Sequence, residues 1–317
     1  MFVSVPADHQ RHHCGVEMIS EITMRKSKLR LSYALSAAIA VNCCAPLNTL
    51  AAGGYQGPII DMHAHLRLRD SPPVAPEHPV GVDALLEIDA AAGVARSSLI
   101  VIARKGEVDR TRAQNDAVIE AARSSRGKFF PVVSVHPHDA MAALVELERV
   151  AKLGARIVKL HPNTQDFDVA DPAVGEVVER CGNLGLIVLL DSFKPWDADQ
   201  PGKLLRLAVA HPRTKLIFAH AGYSQFRQFL PFAMLKKLGL STNVWFDVSA
   251  AATSFVDSPL EAEFVWTLRQ LGTDRVLFGS DWPVDTPAQA IDAVRRLGFE
   301  RNEEAQIFHD NAASLMR

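Results

Sequence analysis

Two histidines separated by one residue, in the segment Asp61-Met62-His63-Ala64-His65, have the residue types and spacing of a metal-binding pair. The segment follows directly on a short apolar run. Because residues two apart on an extended strand point to the same side, both imidazoles can reach one ion. The same pattern also occurs in surface turns, so the prediction depends on further ligands elsewhere in the chain.

Four more apolar runs end in side chains that could join such a site. They end in Lys159 and His161, in Asp191, in His220 and in Asp281. Each group also has an ordinary interpretation, since a lysine can be a solvated strand end, a histidine a hydrogen-bonded core residue and an aspartate a helix cap. Their common position at run ends is the strongest sign of function in the sequence.

Cations cluster just past the first, second, fourth and fifth apolar runs, which favours an anionic substrate such as a carboxylate. Ordinary surface charge explains these positions equally well, because lysine and arginine are usually exposed. The cations are Arg67, Arg69, Arg104, Lys105, Lys159 and Lys194.

The elements that must position these groups are short apolar runs alternating with amphipathic stretches. The runs lack polar alternation, as expected for strands buried on both faces. They are Pro58–Met62, Ser97–Ile102, Phe129–Val135, Ile157–Leu160, Leu186–Leu190, Lys215–Phe218, Val244–Val248 and Val276–Phe278. Helical patterns between them include Gly81–Ala92, Arg110–Arg123, Ala140–Leu153, Val174–Leu184, Gly202–Ala210, Leu260–Leu271 and Pro287–Leu297.

This alternation predicts an α/β fold, a single-domain (β/α)8 TIM barrel, whose usual size is about 250 residues. A doubly wound open sheet is the alternative, and the even spacing of eight units favours the closed barrel. Barrel enzymes place their sites at the C-terminal ends of the strands, where all of the groups above fall.

Composition excludes several classes of protein. The chain has 317 residues, with 34 Lys+Arg against 36 Asp+Glu, a formal net charge of −2 and 48% hydrophobic residues. A near-neutral chain lacks the excess of positive charge that is typical of nucleic-acid-binding proteins. The composition is also unlike that of disordered or collagen-like proteins. A small-molecule substrate is therefore expected as the partner, and a homo-oligomer stays open.

The first fifty residues have the pattern of a secretory signal rather than of a folded domain. We predict four segments. Residues 1–23 are an extension that precedes the true start, 24–51 are a signal peptide, 52–57 are a short linker and 58–317 form the barrel. Basic residues precede the apolar run Leu31–Val41, and Thr49-Leu50-Ala51 offers a cleavage site. The run is shorter than the roughly 20 residues that span a bilayer. The pattern predicts a periplasmic or secreted protein with no membrane span after cleavage; an uncleaved anchor is the alternative.

Taken in order, several motifs resemble the amidohydrolase superfamily, in its amidohydrolase-related branch of TIM-barrel metal-dependent hydrolases and decarboxylases. The motifs are IIDMHAH, GARIVKLHPNTQDF, LIFAHAG, VLFGSDWP and the terminal NAASLM. They run from about residue 58 to the C-terminus. Singly each is weak, and together they are specific.

The resemblance implies roles for individual residues. His63 and His65 match the two metal ligands of the first strand, and Asp281 matches the carboxylate that binds the metal and handles the proton of water. His220 matches the histidine of the sixth strand, which is either a ligand of a second metal ion or a hydrogen-bonding activator. Lys159 and His161 take positions where relatives hold a bridging ligand or contact substrate, and Arg67 is a candidate substrate contact.

The fifth strand departs from the family. Relatives commonly end it with a metal-binding histidine, whereas this chain has Asp191. A carboxylate can still bind zinc or manganese, so Asp191 is predicted as a ligand; a weakened or lost metal site is the alternative.

Three functions remain open at this point. The first is a metal-dependent hydrolase of a small anionic amide, ester or lactone, with one divalent ion, zinc or else manganese, and with Asp281 and His220 as catalytic residues. The second is a lyase on the same scaffold, either a decarboxylase or a hydratase of an unsaturated carboxylic acid. The third is a secreted barrel that binds a ligand without catalysis.

Overall fold

The computed structural model describes residues 54–66 and 81–317. The predicted N-terminal extension, the signal peptide and the substrate contact Arg67 lie outside these residues. The strands are β1 Ile59–Asp61, β2 Val94–Ile100, β3 Phe129–Ser134, β4 Ile157–Leu160, β5 Ile187–Asp191, β6 Leu216–Ala219, β7 Val244–Asp247 and β8 Val276–Leu277. The α-helices are α1 Val82–Ala92, α2 Val108–Ser124, α3 Met141–Lys152, α4 Pro172–Asn183, α5 Gln200–Ala210, α6 Leu230–Lys237, α7 Ala251–Phe255, α8 Glu261–Leu271, α9 Pro287–Arg296, α10 Arg301–Ala305 and α11 Asn311–Leu315.

The eight strands form one parallel sheet in sequence order, β1 to β8. Backbone contacts just beyond β1 and β8 bring the two edges together. Met62 N–H donates to the Phe278 carbonyl at 2.9 Å, and Ala64 pairs with Trp282 in a parallel bridge. The fold is a TIM barrel, as the sequence predicts.

Side chains alternate between two cores because successive strand residues point to opposite faces. Val158, Val188 and Phe218 pack outward against the helices, whereas Ile157, Leu189 and Ile217 fill the barrel interior. Lys159 lies two residues after Ile157, and Asp191 lies two residues after Leu189. In β4 and β5 the inward-facing row is therefore apolar towards the bottom of the barrel and charged at the top, where the chemistry is expected.

The C-terminal segment closes the bottom of the barrel. Ala312 and Leu315 of α11 pack into the interior core. The Asn311 amide donates to the carbonyl oxygens of Thr273 and Val276, both at 2.7 Å. The terminal motif thus stabilises the end of the barrel opposite to the predicted site.

Strand ends differ from the predicted ones by up to three residues. The largest shift is at β2, which begins at Val94 rather than Ser97 because Val94 pairs with Ile59. After β6 the chain forms a kinked segment at His220–Phe229, where 3-10 turns are separated by non-helical backbone at Ala221, Gly222 and Tyr223. The apolar pattern does not reveal this segment. Among the described residues, no helix is long and apolar enough to cross a bilayer.

Candidate active site

Three side chains converge at the top of the barrel as a possible metal centre. Asp281 Oδ1 lies 3.3 Å from His63 Nε2 and 3.4 Å from His65 Nε2. His63 is fully buried, while the side chains of His65 and Asp281 keep 20% and 13% of their surface exposed. The group is therefore anchored inside the protein and open at one side.

Close approach of β1 and the loop after β8 creates this group. Asp281 has a positive φ of 59°, and its N–H donates to the His63 carbonyl at 2.6 Å. A positive φ is unfavourable for an aspartate, so the surrounding contacts must hold it in place. Gly279 makes room, since a Cβ there would lie 2.6 Å from the His63 Cβ. Thr286, not Asp281, caps the following helix, so the capping alternative for Asp281 does not apply.

His63 is fixed from both ring nitrogens. Its Nδ1 lies 3.0 Å from Asp247 Oδ2, and its Nε2 lies 3.0 Å from Lys159 Nζ. A carboxylate at Nδ1 selects the tautomer with the proton on Nδ1, which leaves the Nε2 lone pair free to accept. Burial, reinforced by the Lys159 charge, lowers the pKa of His63 to about 4, so the imidazole is neutral at pH 7.

A second group forms around Asp191. Asp191 Oδ2 lies 3.1 Å from His220 Nε2 and 3.4 Å from His161 Nε2. His220 Nδ1 faces the Ser249 carbonyl at 2.9 Å, so both nitrogens of the ring face acceptors, as in an imidazolium. Burial works against this charge, but Asp191 outweighs it and raises the pKa of His220 to about 10.

The carboxylates of the site are ionised at neutral pH. Burial opposes ionisation of Asp281, yet His63, His65 and His220 hold its pKa below the usual range. Burial opposes ionisation of Asp191 as well, and His161 and His220 hold the pKa of that carboxyl well below its usual value. The site therefore combines anionic bases with a positively charged His220.

The donor set fits a divalent ion. A tetrahedral ion with bonds of about 2.0–2.1 Å separates its donor atoms by about 3.3–3.4 Å. The two distances from Asp281 Oδ1 to the histidines have these values, and His63, His65 and Asp281 form a compact group of possible ligands. Two imidazoles and a carboxylate suit zinc or manganese. Asp191 contacts His220 and His161 instead, so its assignment as a ligand stays a prediction.

Lys159 and His161, predicted from β4, differ in their exposure to solvent. Lys159 is completely buried against His63. The His161 side chain is 18% exposed at the mouth, where it can meet a substrate. Its backbone N–H donates to Gln165 Oε1 at 2.7 Å.

Sequence reasoning missed two positioning residues. Asp247 ends β7. Its side chain orients His63 and also accepts a hydrogen bond from the backbone N–H of His220 at 3.0 Å. The signal was present, since Asp247 is a carboxylate at the end of a buried strand. Gln165 lies in the loop after β4, and its amide donates to the carbonyl oxygens of Ala103 and Val135 at 3.0 and 2.9 Å. It thereby ties the ends of β2, β3 and β4 together.

Known proteins share sequence features and the fold with this chain. The sequence profile of the amidohydrolase family matches residues 60–317. An uncharacterized protein of Sinorhizobium fredii, y4mH, is 27% identical in an alignment of 138 residues. The alignment covers 37% of this chain and 44% of that relative. The match thus spans less than half of the curated relative.

Several solved structures share the fold at low identity. The 5-carboxyvanillate decarboxylase of Sphingomonas paucimobilis is 16% identical with a TM-score of 0.64, over 82% of this chain and 98% of that one. A candidate 2-pyrone-4,6-dicarboxylic acid hydrolase of Pseudomonas putida is 23% identical with a TM-score of 0.62, over 82% and 97%. A dihydroxybenzoic acid decarboxylase of Polaromonas, which contains manganese, is 17% identical with a TM-score of 0.64, over 82% and 97%.

The fold and the strand-end site together define a TIM-barrel enzyme. The extent of the profile match, from β1 to the C-terminus, shows further that the chain belongs to the amidohydrolase family.

Proposed function

We propose that this enzyme hydrolyses a small anionic ester, lactone or amide, with Asp281 as the general base. The observation that carries the proposal is the position of the Asp281 carboxylate, which contacts His63 and His65 and reaches the open side of the site. A base must be ionised and within reach of water, and Asp281 meets both conditions.

Each residue of the site has a separate role in the proposed hydrolysis. Asp281 accepts a proton from water as the water oxygen attacks the carbonyl carbon, and it returns the proton to the leaving oxygen or nitrogen. The positive charge of His220 lies next to the same space and stabilises negative charge that develops on the carbonyl oxygen. His161, at the mouth, contacts the substrate, and Arg67 is proposed to bind its anionic group.

His63, His65 and Asp281 would hold the divalent ion, and we propose zinc, with Asp191 as the candidate additional ligand. When bound, the ion would lower the pKa of water to about 7 and polarise the substrate carbonyl. His63 presents a neutral imidazole for this purpose, and Asp247 keeps it in the tautomer that can bind.

A decarboxylase is the second candidate. It is favoured by the structural similarity to the decarboxylases of Sphingomonas and Polaromonas. In that reaction, too, a small carboxylic acid would be the substrate, and the cationic His220 would stabilise the charge left when carbon dioxide departs.

A paired assay separates the two candidates. Purified protein with zinc or manganese is given a panel of small anionic lactones, esters, amides and unsaturated carboxylic acids, and both acid production and carbon dioxide release are followed. The proposal expects acid production without carbon dioxide, and at least about a 100-fold loss of kcat in Asp281→Asn. Carbon dioxide release would identify the decarboxylase, and equal turnover by Asp281→Asn would contradict the role of Asp281.

We propose in addition that the protein is exported after cleavage near Ala51. The support is the basic and apolar pattern of residues 24–51. N-terminal sequencing of protein recovered outside the cytoplasm is expected to begin within a few residues of Ala52. A protein that retains Met1 in the cytoplasm would contradict this.

A further inference from the structure

A buried lysine occupies the ligand face of the candidate metal centre. Lys159 is completely inaccessible to solvent, and its Nζ lies 3.0 Å from His63 Nε2. A buried ammonium group needs a hydrogen-bond acceptor and a nearby anion. The His63 lone pair is the acceptor, and Asp191 is an anion close enough to interact with the lysine charge.

The atom that Lys159 contacts is the atom that a metal ion would require. His63 Nδ1 faces Asp247 Oδ2, so Nε2 carries the lone pair of the ring. A neutral imidazole nitrogen has a single lone pair, and it cannot accept a hydrogen bond from Lys159 while it binds an ion. Asp281 Oδ1 approaches the same Nε2 at 3.3 Å, so the lysine and the ligand group meet at this nitrogen.

We propose that Lys159 is a built-in competitor for the divalent ion, which makes the metal weakly held and exchangeable. The inference rests on the metal centre of the proposed function. Without the ion, the lysine charge compensates the carboxylates and keeps His63 in place. When the ion enters, Lys159 releases His63 and turns to Asp191.

The magnitude of the competition follows from Coulomb's law. At the effective dielectric constant of protein sites, each unit of positive charge on an ion about 4 Å from the lysine ammonium weakens binding by roughly 1,000-fold, and a divalent ion carries two. Part of that repulsion is relieved when the lysine turns away. Removal of the charge should therefore tighten metal binding by at least about 10-fold.

The test measures the dissociation constants of Zn²⁺ and Co²⁺ for the whole protein by competition with a chromophoric chelator. Lys159→Met and Lys159→Gln remove the charge, and Lys159→Arg keeps it. Lys194→Met is the matched control, because Lys194 is also buried near the mouth but donates to the Phe167 carbonyl at 3.0 Å. The Co²⁺ absorption spectrum reports whether the ion is tetrahedral, and circular dichroism reports folding.

We expect at least 10-fold tighter binding in both neutral variants, with Lys159→Arg and Lys194→Met close to the wild type. Unchanged affinity in the folded neutral variants would overturn the proposal. Loss of metal from them would overturn it too, because it would make Lys159 a ligand or a support of the site. No substrate is used, so failure to find a hydrolytic activity leaves this result interpretable.

Discussion

At the residue scale, the site is organised around His63. One ring nitrogen faces Asp247, and the other faces Lys159 and Asp281. The spacing of His63 and His65 was sufficient to predict that they share a site. Strand parity could also have placed Lys159 inside the barrel, but the sequence cannot show that its ammonium group reaches His63, since that depends on how far β4 extends relative to β1.

Asp247 offers a direct test of this arrangement. Asp247→Asn keeps the shape of the side chain but removes the negative charge that selects the His63 tautomer. We expect metal affinity to fall by roughly 10- to 100-fold, as is typical when the partner of a metal-binding histidine is lost. Asp292→Asn is the control, because that exposed carboxylate pairs with Arg296 within α9. Equal metal affinities in the two variants would show that Asp247 does not support the metal centre.

His161 predicts a pH dependence of stability in the metal-free protein. Its side chain is partly exposed at the mouth, yet desolvation lowers its pKa to about 4, against an ordinary value of 6.5. Between these values the unfolded chain binds a proton that the folded chain does not. The free energy of unfolding therefore falls as the pH falls, by about 1.4 kcal/mol per pH unit for this group.

Replacement of His161 measures its contribution to the pH dependence of the free energy of unfolding. His161→Asn should lose less stability between pH 6.5 and 4 than the wild type, as measured by urea unfolding at several pH values. Parallel curves for His161→Asn and the wild type would show that the folded and unfolded states protonate His161 alike.

At the scale of elements, the strand ends determine which side chains meet. The sequence predicted eight strands and placed the candidate ligands at their C-terminal ends. It could not predict the backbone turns that aim them, such as the positive φ values of 62° at His220 and 59° at Asp281. Nor could it predict that Gln165 joins three strand ends, because a loop glutamine has no periodic pattern.

Gly279 shows how closely β1 and the loop after β8 approach. A Cβ at this position would lie 2.6 Å from the His63 Cβ and 3.1 Å from the Ser249 Cβ. Gly279→Ala must therefore displace His63, and we expect a loss of about 1–3 kcal/mol of stability together with weaker metal binding.

The control for this substitution is Gly202→Ala in α5, where the added methyl group meets nothing within 4 Å. Alanine is the better helix former, so this variant should be as stable as the wild type or more so. Thermal unfolding and metal affinity are measured for both. A Gly279→Ala protein with wild-type stability and affinity would show that the contact between these segments is loose.

The two ends of the barrel differ in role, since one is packed with apolar side chains and the other holds the candidate active site. Apolar strand residues and α11 fill the interior at its lower end, and the candidate ligands lie at the upper end. Alternation of apolar runs and helices was enough to predict this architecture. The choice among substrates was not predictable, because the fold is shared by enzymes with different reactions and the site residues alone do not define the group that is cleaved.

If His63, His65 and Asp281 hold one divalent ion, anomalous diffraction locates that ion between them. Crystals of the whole protein grown with zinc are measured above and below the zinc absorption edge. We expect a single anomalous peak within about 2.0–2.2 Å of His63 Nε2, His65 Nε2 and an oxygen of Asp281. A peak that also touches Asp191 would identify it as a further ligand. A peak elsewhere, or none at saturating zinc, would show that these three residues do not form a metal centre.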